Sequence, residues 1–207
     1  YKALGARDCV PIYNALDPST HFPVPVDGRF AADLTFLGNR LPDREARVDE
    51  FFLRAATALP AHRFLLGGNG WQDRDLPANV HRIGHVSTRD HNAVNCSATA
   101  VLNINRASMA RFGHSPATRV FEAAGAGACL ITDAFEGLDA FLDPDREVLV
   151  ADSGEAVAAH LAALTPERAA SIGQAARARI LAAHTYDHRA GLVEETLAVV
   201  APRAHAC

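Results

Sequence analysis

The amino-acid sequence predicts an α/β protein built on a doubly wound, mostly parallel sheet, with a helical tail at its C-terminal end. Three observations carry that expectation. Between residues 34 and 150, short apolar runs alternate with segments of helical period, the pattern of repeated βαβ units. Gly38, Gly67 and Gly84 each follow a short strand-like run directly, as expected where a strand ends beside a ligand crevice. Residues 153–200 are rich in alanine and contain no strand-like run. With 49% apolar and 21% charged residues among 207, the chain can bury the core of one domain with an appendage.

Residues 34–37 make the first strand. Over 44–59, Val48, Phe51, Phe52, Ala55, Ala56 and Leu59 recur at steps of three and four, one apolar face of a helix that Pro60 ends. Residues 63–66 form the second strand and run into Gly67-Gly68-Asn69-Gly70-Trp71; 80–83 form the third, stopped by Gly84. A short helix is expected over 88–96, a fourth strand over 99–104 and a loop over 105–114. Ser115-Pro116 is expected to open a helix through residue 124, because serine caps free NH groups and proline suits the first helical position. Gly125 and Gly127 close that helix. Residues 129–132 and 147–150 are the last two strands, and the helical tail breaks near Thr185-Tyr186-Asp187. Right-handed crossovers wind such an alternation into a sheet that binds ligands at the carboxyl ends of its strands.

Several function classes are disfavoured. A net charge of -4 leaves no footprint for nucleic acid. The four cysteines, Cys9, Cys96, Cys129 and Cys207, are far apart and form no C-x-x-C pair, which fits reduced thiols in a soluble, cytoplasmic protein. There is no apolar run of about 18 residues and no secretory pattern. His184 and His188 share a helical face, but no Glu follows His184, so a solvated helix end is expected there and no metal site. The glycine cluster after residue 66 has neither the G-x-G-x-x-G order nor a GK[ST] ending, and no G-x-S-x-G elbow marks a hydrolase.

The candidate chemistry falls in loops after strands. A helix opening near Ser115, Pro116, Thr118 and Arg119 would aim backbone NH groups and a partial positive charge at an anion. Glu122, about two turns on, could then accept hydrogen bonds from sugar hydroxyls; an ordinary capped helix with a surface glutamate is the alternative. Gly38, Asn39 and Arg40 follow the first strand, where Arg40 would offer fixed positive charge to a diphosphate, or the stretch is only a polar turn. Gly68 allows either a close approach to ligand or a flexible turn. His85 and His114 occupy loop positions that would face the crevice.

Three segments carry a family resemblance. Tyr13 to Pro23, YNALDPSTHFP, resembles the N-G-V-D-x-x-x-F-x-P lead-in of GT-B glycosyltransferases, and Asn79 to Val86 resembles their short strand ending in glycine. Ser115 to Asp133, SPATRVFEAAGAGACLITD, is similar to their E-A-x-x-x-G-x-x-x-[ILV] helix through Glu122, Ala123, Ala126, Gly127 and Leu130 or Ile131, with slightly shifted spacing. Over nearly its whole length the chain resembles the C-terminal, Rossmann-like domain of these enzymes, most closely the CgeB-like group.

That resemblance implies a UDP-type nucleotide-diphosphate sugar as donor substrate and no cofactor. It places Glu122 on the ribose, the Ser115 helix start on the diphosphate, and Gly84 to Val86, with His85, near the base. Arg40 stands for an Arg and Lys pair common in the family, with Arg106 or Arg119 as substitutes, and His114 occupies a position where many members carry a second Glu. It also implies a lead-in over 1–30, a donor domain over 31–183, and a last helix over 184–207. Leu192, Val193, Leu197, Val199 and Val200 of that helix would pack on an N-terminal acceptor domain outside this chain, without which the fragment is expected to be inactive. The reaction implied is metal-independent hexosyl transfer, with retention favoured. An epimerase or phosphorylase on the same scaffold, a nucleotide-binding module without turnover, and a receiver-like domain are the alternatives; the last lacks an acidic cluster after the first strand.

Overall fold

The computed structural model describes residues 1–200. Residues 201–207 of the expected last helix, Cys207 among them, lie outside the described residues, as do the side chains of Val199 and Val200. Six strands, β1 (Ala32–Leu37), β2 (Phe64–Gly67), β3 (Val80–Gly84), β4 (Ala98–Asn103), β5 (Leu130–Asp133) and β6 (Leu149–Ala151), form one sheet in the order β3-β2-β1-β4-β5-β6. Every neighbouring pair is parallel. The expected doubly wound sheet is therefore present, and its strand order reverses between β1 and β4, which is where such sheets open a ligand crevice.

The apolar runs form strands because both faces of the sheet are covered, so a central strand needs no polar alternation. All four residues of β2 are buried. Neighbours on a strand serve opposite cores. Leu34, Phe36, Phe64, Leu66 and Ile131 pack on one face with Val48, Phe52 and Leu161. Val101 and Leu130 pack on the other with Val120, Phe121, Phe141, Ala176 and Ile180.

The helix expected over 44–59 forms as α1 (Glu45–Val48), a π turn at Asp49–Leu53, and α2 (Arg54–Ala58). The start of α6 (Gly154–Ala163) presses on that π turn: a Cβ on Gly154 would lie 2.2 Å from the Glu50 carbonyl oxygen. Helix α3 (Thr88–Ser97) precedes β4, and α7 (Pro166–Ala183) and α8 (Tyr186–Val200) form the tail, broken at His184 and Thr185 as expected. Thr165 caps α7 and Pro166 opens it, the arrangement predicted instead for Ser115 and Pro116.

Two local expectations are corrected. The loop expected over 105–114 contains α4 (Ala107–Phe112), which buries no residue and so leaves no periodic signal. Helix α5 (Thr118–Gly125) starts after Ala117, with no side-chain cap, so Ser115 is not its cap and Pro116 is not its first residue. Proline disfavours the helical region for the residue before it, and the chain is held away from α5 by the His114 NH bonded to the Glu136 carbonyl at 2.6 Å.

The N-terminal segment is tied to the body. Leu16 is buried, its NH bonds the His184 carbonyl at 2.9 Å, and its carbonyl accepts from Tyr186 NH at 3.0 Å. Residues 1–12 are exposed throughout. On α8, Tyr186 and Leu197 are exposed.

Candidate functional site at the β1 and β4 crevice

Five of the expected site residues come together. Gly38, Asn39, Gly68, His85 and Val86 line one cleft of about 270 Å³ with Leu37, Asn69 and His91. The loops after β1 and β2 are laced to each other: Gly38 NH bonds the Gly67 carbonyl, Arg40 NH the Asn69 carbonyl, and Asn69 NH the Asn39 Oδ1, each at 2.9 Å. Trp71 Nε1 donates to the Gly38 carbonyl at 2.8 Å. Gly68, at φ 121°, would carry a Cβ 2.3 Å from the Gly38 carbonyl oxygen. Its glycine is thus required by the neighbouring backbone, which gives the wall of the cleft a fixed shape.

Arg40 does not face this cleft as an open cation. Its Nη2 lies 2.6 Å from Glu45 Oε1 and its Nη1 3.0 Å from Asp73 Oδ1, so two carboxylates already answer its charge. Arg106 is likewise engaged, 2.8 Å from Asp43. Two arginines beside this crevice, Arg44 and Arg119, have no carboxylate partner among the described residues. Arg44 Nε is buried with no hydrogen-bond partner, and its Nη1 reaches only the Asn39 carbonyl, at 3.4 Å. Arg119 donates from Nη1 to Asn103 Oδ1 at 2.9 Å and from Nη2 to the Leu37 carbonyl, with its guanidinium over the Phe36 ring.

Both cations are held at the carboxyl end of β1, and Arg119 bridges to the end of β4. Burial, and then the charge of Arg44, push the Arg119 guanidinium down to about 10. Burial and then Arg106 lower Arg44. Two desolvated like charges raise each other's cost unless an anion joins them. Alongside, no side chain caps the start of α5, so the NH groups of its first turn add partial positive charge there. Thr118 is exposed at that start, Pro116 is buried and Ser115 half-buried.

Beneath the crevice lies a buried polar layer. Asn103 Nδ2 donates to Thr132 Oγ1 at 3.0 Å, Asn105 NH donates to Asp133 Oδ1 at 3.0 Å, and Arg47 Nη2 meets Asp133 Oδ2 at 2.5 Å. Burial raises the Asp133 carboxyl against the opposing pull of Arg47. This layer fixes the ends of β4 and β5; Asn103, Asn105, Thr132 and Asp133 are buried, and Arg47 is partly exposed.

Glu122 projects from α5 with its carboxylate partly exposed, 3.9 Å from His21 Nε2. His21 in turn stacks on His91 of the cleft, ring centroids 6.2 Å apart. His114 is exposed, at φ 45°, and its Nε2 is 3.5 Å from Glu136 Oε1. A larger cavity, about 480 Å³, opens at the amino-terminal ends of β4 and β5 near Ala98, Thr99 and Cys129; no charged side chain lines it. Among the described residues no group of three or more His, Cys, Asp or Glu is placed to hold a metal ion, and no helix is long and apolar enough to cross a membrane.

A family profile described as glycosyl transferase-like matches residues 44–195. The chain belongs to this glycosyl transferase-like family. The match contains the crevice helix α5, Arg44 and Arg119. Solved structures share the architecture. Sucrose-phosphate synthase from Thermosynechococcus elongatus is 18% identical with a TM-score of 0.68, over 92% of this chain and 53% of that one. HepE from Anabaena, solved in complex with UDP-glucose, is 15% identical at 0.69, over 91% and 57%. AviGT4, a glycosyltransferase of avilamycin A biosynthesis, is 22% identical at 0.62, over 92% and 57%. These likenesses are of fold: the chain has the Rossmann-like α/β architecture found in GT-B glycosyltransferases, and it spans little more than half the length of the structures it matches. No curated protein matches the chain.

Sequence reasoning passed over Arg44, Asn69, His91, Asn103 and His21. Arg44 did leave a signal, because it precedes Val48 by four residues and Phe51 by seven and so continues the apolar stripe with a charge. His21 lies in a stretch without period and left none.

Proposed function

We propose that this chain is the donor-binding half of a glycosyltransferase that moves a sugar from a nucleotide-diphosphate sugar to an acceptor held by a further domain. The observation that carries the reading is the pair of desolvated guanidiniums, Arg44 and Arg119, at the end of β1 with no carboxylate partner among the described residues. A diphosphate supplies the anion they lack. In transfer, the bond from the anomeric carbon to the phosphate oxygen breaks as the acceptor oxygen bonds to that carbon, and the acceptor hydroxyl's proton passes to the departing diphosphate. The charge left on the diphosphate is then met by preorganised donors, the two arginines and the α5 NH groups, in place of a divalent metal. Glu122 takes the ribose hydroxyls and the cleft beside His85 and Val86 takes the base. UDP-glucose is the first donor to try, since HepE holds it on the same fold. Retention of anomeric configuration and a place in the CgeB-like group rest on the resemblance of residues 13–23 and 115–133. A cytoplasmic setting is supported by the free thiols of Cys9, Cys96 and Cys129.

Isothermal titration of the chain with UDP-, GDP-, ADP- and dTDP-glucose, without added metal, tests the reading. Saturable binding of one nucleotide sugar, weakened tenfold or more by Glu122→Ala, is expected. Binding of none of them overturns it. A second reading, a module that binds donor without turnover, is favoured by His114, which is directed to Glu136 instead of offering a carboxylate to the sugar. It predicts unchanged nucleotide affinity with no sugar released to water or acceptor.

A further inference from the structure

We propose that His21 is a positioning residue for Glu122, delivered by the N-terminal strap, and that it sets how strongly the site distinguishes ribose from deoxyribose. The inference rests on the donor reading above and goes beyond it by giving residues 16–21 a part in nucleotide selectivity.

The strap is built to put His21 at this place. Asp17 accepts from Ser19 NH at 2.9 Å, from Ser19 Oγ at 2.6 Å and from Thr20 Oγ1 at 2.8 Å. These hydroxyls hold its carboxyl down to about 2, so the turn keeps its acceptor at any working pH. His21 NH closes the turn on the Asp17 carbonyl at 3.0 Å, and Asn92 Nδ2 of α3 donates to the Thr20 carbonyl at 2.9 Å. On the other side the strap lies against α5 at Gly125, where a Cβ would meet Leu16 Cδ1 at 2.4 Å and the His21 carbonyl at 3.1 Å. Any side chain there would lift the strap from the helix that carries Glu122.

The imidazole is then enclosed, 9% exposed, between Glu122 of α5 and His91 of α3. Its Nδ1 is buried with no partner. On the other edge of the ring, Nε2 lies 3.9 Å from Glu122 Oε1. A carboxylate there favours the proton on Nε2, pointing at Oε1. That separation is long for a hydrogen bond, as such contacts often are before ligand binds. Closing it engages one carboxylate oxygen and fixes the rotamer, which leaves the other oxygen aimed at a vicinal diol. A glutamate held in this way loses less side-chain entropy when the ribose arrives.

The test compares UDP with 2′,3′-dideoxy-UDP on the full chain by titration, in the wild type and in His21→Leu and His21→Gln variants. The wild type is expected to prefer UDP by about tenfold, one charge-assisted hydrogen bond. His21→Leu should lose most of that preference while leaving dideoxy-UDP affinity within about twofold, and His21→Gln, which restores an NH near the Nε2 position, should recover it. Added to Glu122→Gln, the His21→Leu change should have no further effect. Equal weakening of both nucleotides by His21→Leu means a structural role and overturns the proposal, as does an undiminished preference. If the wild type binds both nucleotides alike, the Glu122 assignment falls and this inference with it; if it binds neither, the donor reading itself falls.

Discussion

Arg119 Nη1 donates to Asn103 Oδ1 at 2.9 Å, tying the first turn of α5 to the carboxyl end of β4. Asn103 is completely buried and its amide nitrogen is committed to Thr132 Oγ1, so it holds the guanidinium without reaching any ligand. Replacing Asn103 by Leu frees Arg119 from its station. UDP-glucose affinity is expected to fall about tenfold, close to the fall in Arg119→Lys, because an ammonium cannot span Asn103 and the Leu37 carbonyl together. The double variant should be no worse than either single one. Titration of the three proteins decides it, and additive losses would separate the two residues.

Arg44 makes the opposite demand on stability and binding. Its Nε is buried without a partner and burial lowers its pKa, which marks a charge the free protein holds at a cost. Arg44→Met is therefore expected to leave the thermal midpoint equal or higher while weakening nucleotide-sugar binding tenfold or more. A variant that is both less stable and unchanged in binding would show Arg44 to be a packing residue.

Gly68 packs closely on the Gly38 backbone. At φ 121°, with the Gly38 carbonyl oxygen 2.3 Å from any Cβ, alanine there meets both a disfavoured conformation and a rigid neighbour. Gly68→Ala should cost about 2 kcal/mol in urea unfolding. Because the displaced Gly38 loop lines the cleft, nucleotide affinity should drop as well. Gly84→Ala, also at positive φ but with nothing within 4 Å of its Cβ, should lose less stability and serves as the control.

The six strands and roughly where they end were legible in the sequence for a physical reason: a parallel sheet covered on both faces turns strands such as Phe64–Gly67 into unbroken apolar runs stopped by glycine. Gly38, Gly68 and His85 could be placed at the crevice on that ground, whereas Val86 came from the family resemblance. What the sequence could not reveal was which arginine is already neutralised. Arg40 looked free until Asp73, 33 residues away, and Glu45 were seen to hold it. The Ser115 cap failed for a similar reason, since Glu136 draws His114 off the helix axis through a contact that only the fold creates. Helix α4 was missed because Ala107–Phe112 buries nothing, and an exposed helix has no stripe to read.

His184 supplies a pH dependence whose sign can be worked out. Its ring is packed against Phe141, its Nδ1 lies 3.0 Å from Arg189 Nη2, and its Nε2 is buried without a partner. Burial first, and then the charge of Arg189, push its pKa down from 6.5 to about 4. As pH falls below about 6.5 the unfolded chain takes up a proton at this position that the folded chain refuses until about 4. Stability contributed by neutral His184 is thus fully present above about pH 6.5 and is lost as pH falls through that window, by about 3 kcal/mol at its acid end. Urea unfolding at pH 7.5, 6.0 and 5.0 should show the wild type weakening over this range and His184→Gln weakening distinctly less. Parallel pH dependences in the two proteins would mean that His184 is protonated in the fold after all, and that the joint between Leu16 and the start of α8 does not depend on its neutral ring.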